Sequence, residues 1–183
     1  VIMSIQKVLT SLAIALTALC SCSNEEEYTP QTASAICNSL NVSLVDKSGE
    51  PMNYVDLLAN GNVSVTEKES KRIAKIEVVE YEGKKVLSFS VDLPDVKSMT
   101  FNEDRTEGIG KVDLLMNIKG TELPLTVNFK YHASSDKSVI GANSMRIQSI
   151  EYAGKTITPT EKLSIYSIKI SFDGNNTIIE SLL

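Results

Sequence analysis

From Leu40 onward, apolar residues recur at every second position, and this period limits the possible folds more than any other property of the chain. Successive side chains of a β-strand point to opposite faces. Leu40, Val42 and Leu44, interleaved with Asn41, Ser43 and Val45, therefore present one apolar face for burial. That strand runs into the turn-forming stretch 46–51, Asp-Lys-Ser-Gly-Glu-Pro. One helix is expected after it, from Pro51 to Asn60, with proline in its first turn and Gly61 as its stop.

Two hairpins can be registered from the pattern. A two-residue turn at Glu82-Gly83 pairs Val78 with Leu87, Ile76 with Phe89 and Ala74 with Val91 on one face. Glu77 then opposes Ser88, Lys75 opposes Ser90, and Glu80 opposes Lys85. Glutamate is a poor residue for the left-handed turn conformation, which leaves a bulged variant open. A second turn, of type II′ at Gly120-Thr121, pairs Ile118 with Leu123, Met116 with Leu125, Leu114 with Val127 and Val112 with Phe129. It sets Pro124 opposite Asn117, where the missing N–H indicates an edge or a bulge.

Further strands are expected at 144–152, 155–158, 166–172 and 177–181, the last two flanking Asp-Gly-Asn-Asn. Residues 79–86 and 150–157 echo each other, both with Tyr two positions before Gly and then Lys. So short a match reads as shared turn chemistry rather than a repeat. Leu182 and Leu183 are expected to be buried or contacted. An all-β fold follows, mainly an antiparallel sandwich or barrel with at most one or two short helices.

The first thirty residues carry a different signal. Lys7 precedes an apolar run from Val8 to Leu19, shorter than the roughly 20 residues that span a bilayer. A charged start, a short apolar stretch and small residues before a break describe a secretory signal peptide, residues 1–21. The run ends in Leu19-Cys20-Ser21-Cys22, followed by Ser23, Asn24, Glu25, Glu26 and Glu27. This stretch resembles the start of outer-membrane and surface lipoproteins of the Bacteroidota group, and the resemblance is confined to these residues.

In that family, a leucine and two small residues precede the cysteine that receives diacylglycerol. Cys22 fits this box. Read at Cys20 instead, the box would be Thr17-Ala18-Leu19-Cys20, with a bulky Leu where a small residue is wanted. The resemblance implies lipidation at Cys22 and an export signal at Ser23 to Glu27 that displays the protein on the cell exterior, with the periplasmic face as the alternative. Residues 22–36 then form an acidic, polar tether, and 37–183 a single β-rich domain. The membrane becomes a partner through the N-terminal lipid, since more than one acyl chain is needed for stable anchoring. The glutamates, repelled by anionic head groups, project the domain into solvent.

Eighteen Lys and Arg stand against 23 Asp and Glu, a net charge of −5, and cleavage after residue 21 would remove one lysine and no acid. That balance argues against nucleic acid, which requires clustered cations to displace counterions. With Cys22 lipidated, Cys37 has no disulfide partner and reads, in Ala35-Ile36-Cys37, as a small core hydrophobe. Lipidation at Cys20 would instead allow a Cys22–Cys37 bridge.

Candidate chemistry is sparse. The single histidine, His132, lies beside Ser134, Ser135 and Asp136, but triad members normally converge from separated segments, so a solvated loop is expected. One histidine and one remaining thiol do not supply a transition-metal site, which draws three or four N or S ligands. Asn102, Glu103, Asp104 and Glu107 offer oxygens for calcium but lack the spacing of an EF-hand loop and enclose Arg105. No cofactor-binding motif is present.

Sugar-stacking surface is limited to tyrosines, because the chain has no Trp; Tyr54, Tyr81 and Tyr152, near turns or on the short helix, are the candidate ligand-facing residues. Three roles remain. The first is a non-catalytic envelope binding module for a protein or glycan ligand. The second is an assembly subunit pairing by strand addition, with Pro124 or the strand ending 178–183 as the pairing edge. The third is a hydrolase with an unrecognised carboxylate pair.

Overall fold

The alternation translates directly into strands. In the computed structural model, residues 35–134 and 143–182 are described, and among them thirteen strands accompany one short helix. The strands are β1 (Ala35–Cys37), β2 (Ser39–Asp46), β3 (Val63–Glu67), β4 (Glu77–Tyr81), β5 (Lys84–Ser90), β6 (Thr100–Phe101), β7 (Glu107–Ile118), β8 (Thr121–His132), β9 (Ser144–Tyr152), β10 (Lys155–Ile157), β11 (Thr160–Lys162), β12 (Ile165–Phe172) and β13 (Ile178–Ser181). The helix, α1, spans Tyr54–Ala59. The fold is all-β: two curled sheets that pack as a sandwich or half-barrel.

One sheet has the order β1-β9-β8-β7-β3, with β10 also on β9 and β6 also on β7. The other runs β11-β12-β2-β5-β4, with β13 also on β12. Pairing is antiparallel except for β1 with β9 and β2 with β12. The outer edges of β7, β9 and β12 are therefore each covered by two short strands laid end to end.

The chain passes between the sheets five times, at β1–β2, β2–β3, β3–β4, β5–β6 and β10–β11. At Asn38 the chain leaves β1 and enters β2, and Asn38 is stitched to the end of β5: its Nδ2 donates to the Val91 carbonyl at 2.6 Å, and Val91 N–H donates to the Asn38 carbonyl at 3.0 Å. The last crossing joins β10 to β11, where Arg146 on β9 pairs with Glu161 at 3.2 Å. Strands that switch sheets are how a sandwich turns its corners. Among the described residues the sheet includes Ala35 and Ile36, two residues of the expected tether, because Ala35–Cys37 finds a partner in β9.

Inward residues of both sheets form a single cluster, including Leu40, Val42 and Leu44 of β2, Leu114 and Met116 of β7, Val127 and Phe129 of β8, and Ile168 and Ile170 of β12. Full burial of each such side chain contributes about 1.5–3 kcal/mol. Cys37 belongs to this cluster and is 5% exposed, a core hydrophobe as its context indicated. Leu182 is half-buried, and its carbonyl accepts the Thr160 hydroxyl.

The β4–β5 hairpin keeps the expected register, Val78 with Leu87 and Glu80 with Lys85. Its turn is not bulged, since Glu82 and Gly83 both take left-handed angles, φ 52° and 73°. The pairing does not extend to Ile76 and Ala74. Ala74 instead donates its N–H to the Val65 carbonyl at 2.8 Å, joining the edge of β3.

The β7–β8 hairpin is displaced by two residues from expectation. The turn is Lys119-Gly120, at φ 51° and 83°, so Ile118 faces Thr121, Met116 faces Leu123 and Val112 faces Val127. Two left-handed residues give the type I′ turn, whose twist matches the strands, and Asn117 Oδ1 accepts the Gly120 N–H at 2.9 Å. A shift of two leaves every side chain on its expected face. Pro124 therefore opposes Leu115 rather than Asn117, just past the point where β9 stops pairing with β8.

The helix is also shorter than expected. Pro51 bridges to Val45, and Asn53 caps α1 by accepting the Asp56 N–H at 3.2 Å.

Candidate functional site

Odd-numbered residues of β7 turn their backbone groups toward its outer edge. Lys119 N–H donates to Asn62, Asp113 C=O accepts from Lys68 at 2.9 Å, and Glu107 C=O accepts from Asn102 at 3.0 Å. β3 covers Leu114 to Ile118 of this edge, and β6 covers Gly108 and Ile109. Among the described residues no strand lies beside Lys111, so one rung of the ladder is open.

Over that rung sits a cleft of about 720 Å³, within the range of small-ligand sites. Its walls are the turn after β3 (Glu67 to Ser70), the loop after β5 (Asp92 to Asp95, with Ser98) and the β7 edge itself (Lys111 to Asp113). The second wall is fixed by glycine. A Cβ on Gly110 would stand 2.8 Å from both Pro94 Cγ and Met99 Cγ, and one on Gly108 would stand 2.6 Å from the Phe101 ring. Two glycines in the strand thus let the loop fold down against the sheet. Asp95 then caps a 3-10 turn at Val96–Ser98, accepting the Lys97 N–H at 2.9 Å.

The cleft is rich in acids, with Glu67, Glu69, Asp92, Asp95 and Asp113 against Lys68 and Lys111. Most of the carboxylates are committed to structure. Glu67 accepts the N–H groups of Glu69, at 2.8 Å, and of Ser70. Burial pushes its pKa up, but the Ser70 hydroxyl, these amides and the Lys71 charge outweigh that, and the carboxyl is held below its ordinary value. Asp92 pairs with Arg72, and Asp113 accepts the Thr126 hydroxyl at 2.5 Å.

Cys20, Cys22, Ser23, Asn24 and Glu25 to Glu27 lie outside the described residues, as do Ser135 and Asp136. Of the three candidate tyrosines, Tyr54 does not face a ligand. It is 4% exposed, and its hydroxyl accepts the Leu44 N–H at 3.1 Å and donates to the Leu44 carbonyl at 3.0 Å. Tyr81 and Tyr152 are half-buried at the ends of the β4–β5 and β9–β10 hairpins, in different sheets.

His132 is exposed, with Nδ1 3.7 Å from Glu107 Oε1. In the 102–107 loop, Asp104 accepts both the N–H and the hydroxyl of Thr106, while Asn102 Oδ1 accepts the Glu107 N–H at 2.9 Å; these oxygens shape the turn. The 178–181 strand, β13, pairs with β12 along one side, and no strand covers its other side among the described residues. Sequence reasoning missed the cleft, although its walls left signals in Glu-Lys-Glu-Ser at 67–70, Asp-Leu-Pro-Asp at 92–95, and glycines inside a strand. Comparison with protein-family models, curated proteins and solved structures finds no match to this chain.

Proposed function

We propose that this protein is a lipid-anchored component of the cell envelope whose β domain is a non-catalytic binding module. The anchor is Cys22, and the acidic stretch from Ser23 to Glu27 addresses the domain to the cell exterior. The observation that carries the binding role is the cleft beside Lys111, roomy enough for a ligand and walled by loops fixed on a rigid sheet. General acid–base chemistry needs a group poised to exchange protons near neutral pH, whereas Glu67 is held ionised and Asp92 and Asp113 are occupied by fixed partners.

A second role, assembly by strand addition, is favoured by β4. It ends its sheet, and no strand covers its outer side among the described residues.

The anchoring is tested by metabolic labelling with an alkyne fatty acid. Cys22→Ser is expected to lose the label and Cys20→Ser to retain it; the reverse pattern moves the anchor, and label in neither protein refutes lipidation. Protease added to intact and to lysed cells tests the address. Loss of the domain only after lysis would refute display on the exterior and leave the periplasmic face.

A further inference from the structure

We infer that the cleft takes an extended, basic peptide, which completes the open rung of β7 by pairing its main chain with Lys111. This rests on the binding-module role proposed above and names its ligand class. The ladder carries the inference. β3 and β6 lie end to end on one edge, and the backbone directions at Glu107, Asp113 and Lys119 require Lys111 to point both N–H and C=O into the same line. A peptide residue lying between Lys68 and Thr100 would exchange two hydrogen bonds with Lys111, as neighbouring rungs do.

Charge sets the second preference. Five acids and two lysines line the cleft, and Arg72 offsets Asp92 from outside it, which leaves an excess of negative charge around the slot. Among the described residues Glu69 has no side-chain partner to hold it back, and its carboxylate can meet a lysine or arginine of the ligand. Such charges speed encounter and select sign, while the main-chain rung fixes orientation. A single rung cannot hold a long strand, so the peptide enters and leaves as a short extended segment.

The test uses the full lipidated chain, ¹⁵N-labelled in detergent, titrated with a peptide of alternating lysine and valine. The expected result is a shift of the Lys111 amide resonance together with those of Lys68 and Ser98. Methylating every internal peptide nitrogen keeps charge and shape but removes the donors, and should weaken binding about tenfold or more. The glutamate–valine counterpart should bind at least as poorly, and raising salt from about 0.05 to about 0.5 M should weaken the lysine peptide.

Lys111→Pro removes the outward N–H without touching the β7–β8 ladder and should abolish the shifts of the Lys68 and Ser98 amides, and Glu69→Lys should lower affinity in a protein with unchanged stability. Equal binding of the methylated peptide, or an unmoved Lys111 amide, overturns the pairing. If a neutral oligosaccharide moves the cleft resonances and the peptide does not, the peptide fails while the binding module stands. If neither moves them, both fail.

Discussion

Tyr54 stands where β2 loses a partner. β5 pairs with β2 only from Ser39 to Val42, so on that side the backbone of Leu44 would face the core with its polar groups unmet. The Tyr54 hydroxyl fills this place, accepting the Leu44 N–H and donating to the Leu44 carbonyl, while Met52 N–H also reaches that carbonyl at 3.1 Å. Tyr54→Phe keeps the ring and removes one oxygen. The carbonyl retains Met52, but the N–H of a fully buried residue loses its acceptor. An orphaned buried donor costs about 1–3 kcal/mol. For a domain of this size, a central value near 2 kcal/mol corresponds to a fall in Tm of about 4–8 °C. Urea denaturation followed by circular dichroism gives the free energy, and hydrogen exchange at Leu44 should accelerate more than at Val42. A loss under about 0.5 kcal/mol, within what a neutral surface change produces, would refute the role given to this hydroxyl.

Gly110→Ala should destabilise by about 1–3 kcal/mol, because the new methyl meets Pro94 and Met99; unchanged urea stability would mean the 92–99 loop is not fixed there. Lys119→Asn creates the Asn-Gly pair that type I′ turns favour and relieves a left-handed lysine, so it should stabilise by up to about 1 kcal/mol, read as a higher urea midpoint at constant slope. Asp46, through the Ser48 hydroxyl and amide, and Asp104, through the Thr106 hydroxyl and amide, have pKa values held below the ordinary carboxylate value. Depressed carboxylates stabilise the folded state above the unfolded pKa and lose that contribution as pH falls through the folded one. Protection of the Ser48 and Thr106 amides, measured relative to their intrinsic exchange rates, should therefore hold down to about pH 4 and fall below it. Loss of protection already at pH 6 would contradict the assignment.

Strand faces were legible because alternation is a local property, and the burial of Leu40, Val42, Leu114 and Phe129 follows from it residue by residue. Register was only half legible. Pairings that differ by two residues bury the same side chains, so the pattern could not separate a turn at Gly120-Thr121 from one at Lys119-Gly120; turn geometry and the Asn117 contact decide it. The bulge at Asn128/Phe129 had a visible trace, the three-residue step from Ile147 to Ile150 in a strand otherwise alternating by two. The walls of the cleft left separate local traces, but their meeting around one place left none. The cleft exists because β3 ends at Glu67 and β6 begins at Thr100, thirty-three positions apart in sequence, on either side of Gly110 to Asp113, a stretch of a later strand that neither of them pairs. No window along the chain contains that coincidence. Lys111 alternates as any exposed strand residue does, and nothing in its own neighbourhood distinguishes a rung that is covered from one left open for a partner.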